Sequence, residues 1–243
     1  LKVANKNFHY LRDDFLSLSL EDVLSLNSYE QKKKALIEES ESTEEELGLE
    51  LEDTEIITEE EKNASIALLE EIKSSNKKIK IVANIPYQIT SRILVHLLGE
   101  MGEPNANREM LSEINILVQK EFADRLCAVP GTKDYGSMTM LIQYWAEVTK
   151  EVDVLRDSFS PPPRVDSTFI KIKIREKPQV ELQNPKQVRR FIKAIFANRR
   201  KKLLNGLKTA GYQQIELDKL DLPENLRGET LTVAQVNDFV NKL

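Results

Sequence analysis

Ile79-Lys80-Ile81-Val82-Ala83-Asn84-Ile85-Pro86-Tyr87 is the stretch from which the fold is read. Ile79–Ala83 is apolar and rich in β-branched residues, so it reads as a strand that runs without a break into Asn84-Ile85-Pro86-Tyr87. That tetrapeptide has the groups needed to hold a flat ring bearing an amine. The Asn84 side-chain oxygen can accept a hydrogen bond from an exocyclic amine. Pro86 has no N–H, fixes its own φ and biases Ile85 toward an extended conformation. The Ile85 carbonyl can then face outward as a second acceptor. Tyr87 offers a face for a stacked base, worth about 1–3 kcal/mol. The same four residues also serve as ordinary strand-to-turn punctuation, so their meaning depends on what surrounds them.

Strand and helix patterns alternate after this point. Ser91–Leu98 is helical, with Ile93, Leu94, Leu97 and Leu98 on one face; Ile114–Val118 is a β-branched strand, and Glu121–Ala128 a second helix. Met138–Trp145 is helical, with Tyr135-Gly136 before it, and Val148–Leu155 and Phe169–Ile174 alternate as strands. Alternating units of this kind predict a parallel-dominated α/β sheet covered by helices, its last two strands forming a hairpin. Beyond Lys177-Pro178 the β pattern stops. Val188–Phe196, Lys201–Leu207 and Val233–Val240 read as helices, with Phe191, Ile195, Phe196, Leu203, Leu204 and Leu207 as the expected core. Residues 1–177 are thus expected to form an α/β domain, and 178–243 a small all-helical one.

The net charge of −5 conceals a segregation of charge. Residues 38–73 hold fifteen acidic side chains against Lys62 and Lys73, a segment charge of −13 that leaves the remainder at +8. Residues 185–208 hold nine Lys/Arg and no acid. The region of about 38–76 reads as an acidic low-complexity insertion, flexible or partly helical. Without it the chain has the basic balance of a nucleic-acid binder, although a solvated helix face also explains many basic runs. Cys127 is the single cysteine, which rules out an intramolecular disulfide, and its apolar neighbours Leu126, Ala128 and Val129 favour burial over reactivity. His9 and His96 are far apart, so no metal site is expected, and neither is a membrane span or a signal peptide.

In an open α/β sheet, ligands bind beyond the carboxyl ends of the strands. Asn7–Leu11 reads as a strand leading into Asp13-Asp14-Phe15-Leu16, and the loops Asp13–Leu16, Asn84–Tyr87 and Gln119-Lys120-Glu121 are the ones expected to meet there. Asp14 is a candidate for an adenine amine or a ribose hydroxyl, with the Phe15 N–H beside it; an acid here also serves as a helix N-cap. Phe159-Ser160-Pro161-Pro162-Pro163-Arg164-Val165-Asp166-Ser167 joins two strands through three consecutive prolines. A stiff segment of this kind can hold Phe159 over a pocket, or serve only as a linker.

The pieces in this order resemble the KsgA/RsmA-type small-subunit rRNA adenine N6,N6-dimethyltransferases, relatives of the Erm resistance methyltransferases. Asp14, Asn84-Ile85-Pro86-Tyr87, Gln119-Lys120-Glu121 with Arg125-Leu126, and Tyr135-Gly136 carry the likeness. It continues through Phe159–Ser167, Phe196-Ala197-Asn198-Arg199-Arg200-Lys201, Arg227-Gly228-Glu229 and Val233-Ala234-Gln235. The resemblance implies a Rossmann-like fold that uses S-adenosyl-L-methionine to dimethylate adjacent adenosines in the 3′-terminal hairpin of small-subunit rRNA. It places Asp14, Phe15 and Asn84 against the cofactor. Asn84, Ile85, Pro86, Tyr87 and Phe159 are placed around the flipped-out adenine, and Arg189, Arg190, Arg199, Arg200, Lys201 and Lys202 on rRNA phosphates. It further implies a monomeric enzyme acting on immature small subunits, in the bacterial cytoplasm or in a plastid or mitochondrion.

The family's glycine-rich cofactor loop and its ribose-holding acid should precede Asn7. Neither is found, and Gly48, Gly99, Gly102 and Gly131 do not replace the loop. The sequence is therefore expected to be N-terminally truncated, to bind S-adenosylmethionine weakly and to be nearly inactive alone. Two other readings remain at this point. One is a non-catalytic ribosome-assembly or organellar transcription factor of the same fold. The other is a DNA adenine methyltransferase, which would share the Asn-x-Pro-Tyr logic but not the basic helical tail.

Overall fold

The computed structural model describes Glu70, Ser74, residues 78–197 and residues 201–243. The strand expected at Asn7–Leu11, the acidic segment apart from those two positions, and Asp14, Phe15, Arg199 and Arg200 lie outside the described residues. Ile79–Leu243 forms one of two compact units of the chain.

Four strands, β1 (Ile79–Asn84), β2 (Leu111–Gln119), β3 (Ala146–Val154) and β4 (Ser167–Ile174), form a sheet in the order β1-β2-β4-β3. β1 and β2 are parallel, whereas β4 is antiparallel to both β2 and β3. Over the described strands the sheet is thus mixed and not mostly parallel. The reason is the short return from β3 to β4, which contains no crossover helix and so reverses the chain. The hairpin expected at the sheet's end is the β3–β4 pair, with Ala146 opposite Ile174 and Val154 opposite Ser167.

The helices between strands are α1 (Thr90–Leu98), α2 (Ala106–Met110), α3 (Lys120–Leu126) and α4 (Ser137–Trp145). α3 packs against β2, β3 and β4, while α4 packs on β3, α3 and α1. One sheet face supplies Ile114, Ile116, Val118, Ile170 and Ile172, all buried, and α1 adds Leu94, Leu97 and Leu98. Each such burial contributes about 1.5–3 kcal/mol. The opposite face, with Val82 and Val152, is largely open among the described residues. α1 stops at Gly99, whose φ of 79° is left-handed and where a Cβ would lie 2.5 Å from the Glu103 carbonyl oxygen. Asn105 then caps α2, its side chain accepting from the Arg108 N–H at 3.1 Å.

After β4 the described residues are helical: α5 (Pro185–Ala197), α6 (Leu203–Thr209), α7 (Gln214–Leu217) and α8 (Val233–Val240), with 3₁₀ turns at Asp218–Leu220 and Gly228–Thr230. Of the expected core, Phe191, Ile195, Leu203 and Leu207 are buried, whereas Phe196 and Leu204 are half-buried. Phe196 meets Tyr135 edge-on, with ring centroids 6.3 Å apart, so it joins the helical residues to the α3–α4 connection. Burial pushes the Tyr135 phenol up to about 12. Arg189 makes a second joint, donating to the Met101 carbonyl at 2.6 Å and to Glu103 at 2.7 Å. Glu103 is held below the usual carboxylate range chiefly by that bond. A third contact is a close approach: a Cβ at Gly228 would sit 2.5 Å from the Ile195 Cβ.

A candidate base-binding cleft at the strand ends

β1 ends on Asn84, β2 on Gln119 and β3 on Val154, and β4 begins at Ser167 on the same edge of the sheet, since Gln119 and Val154 both pair with Ser167. On that edge a shallow cleft of about 340 Å³ is lined by Asn84, Ile85, Pro86, Tyr87, Phe159, Pro161 and Pro163. Residues more than seventy positions apart in sequence are thus brought to one place. Asn84 is exposed, whereas Tyr87 and Phe159 are half-buried.

Each wall has local reasons for its shape. Pro86 has φ −59° and ψ 130°, an extended geometry that ends the strand, and Tyr87–Ile89 then makes one 3₁₀ turn. The Thr90 hydroxyl donates back to the Pro86 carbonyl at 3.4 Å. On the far wall, Arg156–Ser158 forms a 3₁₀ turn that delivers Phe159, and the Ser160–Pro161 peptide is cis. The loop is closed at its base, where Asp166 accepts from the Arg156 N–H at 3.0 Å through its side chain and from the Lys120 N–H at 3.0 Å through its carbonyl. Asp153 extends this base, accepting from Lys120 Nζ at 2.8 Å and from the Thr168 hydroxyl at 2.7 Å. The hydrogen bond from Lys120, then that from Thr168, holds the Asp153 carboxyl below its ordinary value, and the same bond pushes the Lys120 ammonium up.

Gln119-Lys120-Glu121 does not form a loop. Gln119 ends β2 and α3 begins at Lys120, so these residues line a neighbouring cleft of about 610 Å³ with Arg156, Arg164 and Asp166. Sequence reasoning assigns no role to Ser167, Thr168, Asp153 or Asp166. The available signal is the polar pair Ser167-Thr168 that opens the strand ahead of the alternating Ile170–Ile174 run, and both residues are wholly buried. Tyr87 and Ser167 share a 2.5 Å hydrogen bond between their hydroxyls.

Away from this edge, Lys186, Arg189, Arg190, Lys193, Ala194 and Ala197 of α5, with Ala210 just past the end of α6, line a groove of about 500 Å³. Arg190 lies over the Tyr212 ring at 4.7 Å, an arrangement that stiffens a long cationic side chain. Lys201 is exposed, and Lys202 pairs with Glu224 at 2.8 Å. Arg189 is engaged by Met101 and Glu103, and none of the described cations of this group lines the base cleft. Cys127 is half-buried, its thiol directed at the Val148 carbonyl at 3.7 Å and pushed up by burial, which suits a packing role. No group of three or more metal-ligating side chains occurs among the described residues, and no described helix is long and apolar enough to cross a membrane.

The sequence pattern of the ribosomal RNA adenine dimethylase family matches residues 17–243. The chain is 39% identical over 178 residues to the ribosomal RNA small subunit methyltransferase A of Syntrophus aciditrophicus, covering 70% of this chain and 61% of that one. It is 42% identical over 159 residues to the Synechococcus elongatus protein of the same name, covering 64% and 56%. A crystal structure of a dimethyladenosine transferase from Plasmodium falciparum superimposes with a TM-score of 0.51 at 26% identity, covering 68% of this chain and 65% of that one. The mixed sheet with its flanking helices is thus of the Rossmann-like methyltransferase type. The chain spans about 60% of the length of the curated relatives it matches.

Proposed function

Because this chain belongs to the ribosomal RNA adenine dimethylase family, we propose that it is the target-binding part of an enzyme that dimethylates adenine N6 on adjacent adenosines of small-subunit rRNA. The observation that carries the proposal is the cleft that joins Asn84-Ile85-Pro86-Tyr87 to Phe159 at the carboxyl ends of the strands. Its acceptors and rings match the needs of an adenine amine. The N6 lone pair is delocalised into the ring, so the amine is a poor nucleophile. Hydrogen bonds from N6–H to the Asn84 side chain and the Ile85 carbonyl favour a pyramidal nitrogen with its lone pair directed out of the ring plane. Tyr87 and Phe159 sandwich the extruded base and offset the few kcal/mol that flipping costs. These residues act by position and electrostatics and need no strong base.

S-adenosylmethionine supplies a methyl group already activated by its sulfonium. Asn84, on the exposed end of β1, is assigned the place between that cofactor and the base, and the family resemblance assigns Asp14 and Phe15 to the cofactor. Residues 1–243 hold the adenine side of the site, and we assign them weak cofactor affinity alone. The glycines of the α1–α2 and α3–α4 connections, Gly99, Gly102 and Gly131, do not follow a strand and cannot cradle the cofactor. The helical residues form the RNA-backbone surface, with Arg190 and Lys201 presented directly, and Arg199 and Arg200 are assigned the same role. Arg189 and Lys202 must release Glu103 and Glu224 before taking a phosphate. The division at about residue 178 separates these two tasks.

The test is transfer of labelled methyl groups to immature small ribosomal subunits by this chain joined to a family glycine-rich segment. Dimethyladenosine in the rRNA is expected. Tight subunit binding without any dimethyladenosine would instead identify a non-catalytic assembly factor.

A further inference from the structure

The two walls of the cleft come from different parts of the chain, and aromatic stacking on both faces of a base requires a fixed distance between them. Ser167 sits where they meet. It is wholly buried, the first residue of β4, and paired with Gln119 on one side and Val154 on the other. Its neighbour Asp166 closes the Phe159 loop by accepting from the Arg156 N–H, and Thr168 is anchored to Asp153. The start of β4 is therefore the most constrained point of the Phe159 wall. Tyr87, by contrast, stands on a three-residue turn closed only by local bonds, from the Ile89 N–H to the Pro86 carbonyl at 3.2 Å, from the Thr90 N–H to the Tyr87 carbonyl, and from the Thr90 hydroxyl to the Pro86 carbonyl. Among the described residues, a 2.5 Å hydrogen bond between the Tyr87 and Ser167 hydroxyls crosses from that turn to the rigid post.

We propose that Ser167 is a positioning residue for methyl transfer: its hydroxyl tethers the Tyr87 ring and thereby sets the width of the adenine slot between Tyr87 and Phe159. The proposal rests on the reading of the cleft as the target-base site. Stacking itself needs only the aromatic face of residue 87, and a phenylalanine there would stack as well. The hydroxyl is thus needed for the tether, which is why a tyrosine stands opposite a buried serine. Loss of the tether leaves RNA affinity nearly unchanged, because residue 87 keeps its aromatic face for stacking and the phosphate contacts lie on other residues. It lowers the rate, because the amine is held less closely in line with the methyl donor.

The experiment compares wild type, Tyr87→Phe, Ser167→Ala and the double variant, each joined to the glycine-rich segment. Each single substitution is expected to lower kcat about ten- to a hundredfold, with KM for the RNA within about twofold, as a misplaced reacting group does. The double variant is expected to match the worse single one, since both remove the same bond. Losses that multiply, or an unaffected Ser167→Ala enzyme, overturn the proposal. A second measurement needs neither RNA nor cofactor: a fluorine on the Tyr87 ring is followed by NMR in residues 1–243. A defined resonance in the wild type and an averaged, shifted one in Ser167→Ala support the tether, whereas identical spectra overturn it. If the wild type transfers no methyl group to any RNA, the methyltransferase reading fails by itself, and the fluorine comparison still decides the tether.

Discussion

Asn84 sits on the exposed last position of β1, and no side-chain hydrogen bond engages its amide among the described residues. Its side chain is available to a ligand in a way that the buried Asn107 and Asn115 are not. Tyr87 and Phe159 act differently, through area and face. Replacing either by alanine removes stacking worth about 1–3 kcal/mol, so binding of an RNA carrying the extruded adenine should weaken by roughly five- to two-hundredfold. Filter binding with that RNA and with a duplex control checks this, since the duplex should bind equally to all variants. Gly228 makes a purely structural prediction. A methyl group there would meet Ile195 at 2.5 Å, so Gly228→Ala should cost about 1–3 kcal/mol in denaturant unfolding.

At the scale of elements, most of the described fold is legible in the sequence because its periodicities are clean. Ile79–Ala83, Ile114–Val118 and the helical faces of Ser91–Leu98 and Val233–Val240 all lie within the elements observed. α2 escapes such a reading: five residues are too few for a periodic face, and its capping depends on Asn105, which reads as a loop residue. The sheet's mixed character escapes it too, because strand direction follows from the connection, and the proline-rich return from β3 to β4 has no periodicity to read. Within the cleft, Asn84–Tyr87 and Phe159 are visible as unusual local chemistry. Ser167, Asp166 and Asp153 are not, because their roles are contacts across the sheet edge that no local pattern encodes.

The Lys120–Asp153 pair gives this edge a defined pH response. Asp153 has a depressed value in the fold, so its contribution is present above the unfolded carboxylate value of about 3.9 and is lost as pH falls through the lower folded value. Lys120 is raised, so its contribution is present below about 10.4 and is lost as pH climbs through the higher folded value. Thermal unfolding should therefore show no pH dependence from this pair between about 4 and 10. Asp153→Asn should flatten part of the acid limb without changing the plateau slope.

At the scale of the whole molecule, charge among the described residues is unevenly distributed. The described base cleft carries no net cationic cluster, whereas α5 presents Lys186, Arg190 and Lys193 along one groove. Binding to RNA should accordingly depend on salt through the helical residues and not through the cleft. Substituting Lys186, Arg190 and Lys193 by alanine should make log affinity fall less steeply with log salt, by about 0.7–0.9 for each phosphate no longer neutralised. It should leave discrimination of the target adenine unchanged. Calorimetry of residues 1–243 with S-adenosylmethionine should show no micromolar binding; a micromolar isotherm would show that these residues alone supply a complete cofactor site.

The central claim, that Asn84 and its neighbours hold the reacting amine, is tested most directly by Asn84→Ala. Joined to the glycine-rich segment, wild type and variant are compared for methyl transfer to immature small subunits and for affinity toward the same RNA. Transfer should fall by at least about a hundredfold, the scale of losing a group that positions a reacting atom, while affinity stays within about twofold. Equal transfer by the two proteins, or a loss of transfer matched by an equal loss of affinity, would contradict the assignment.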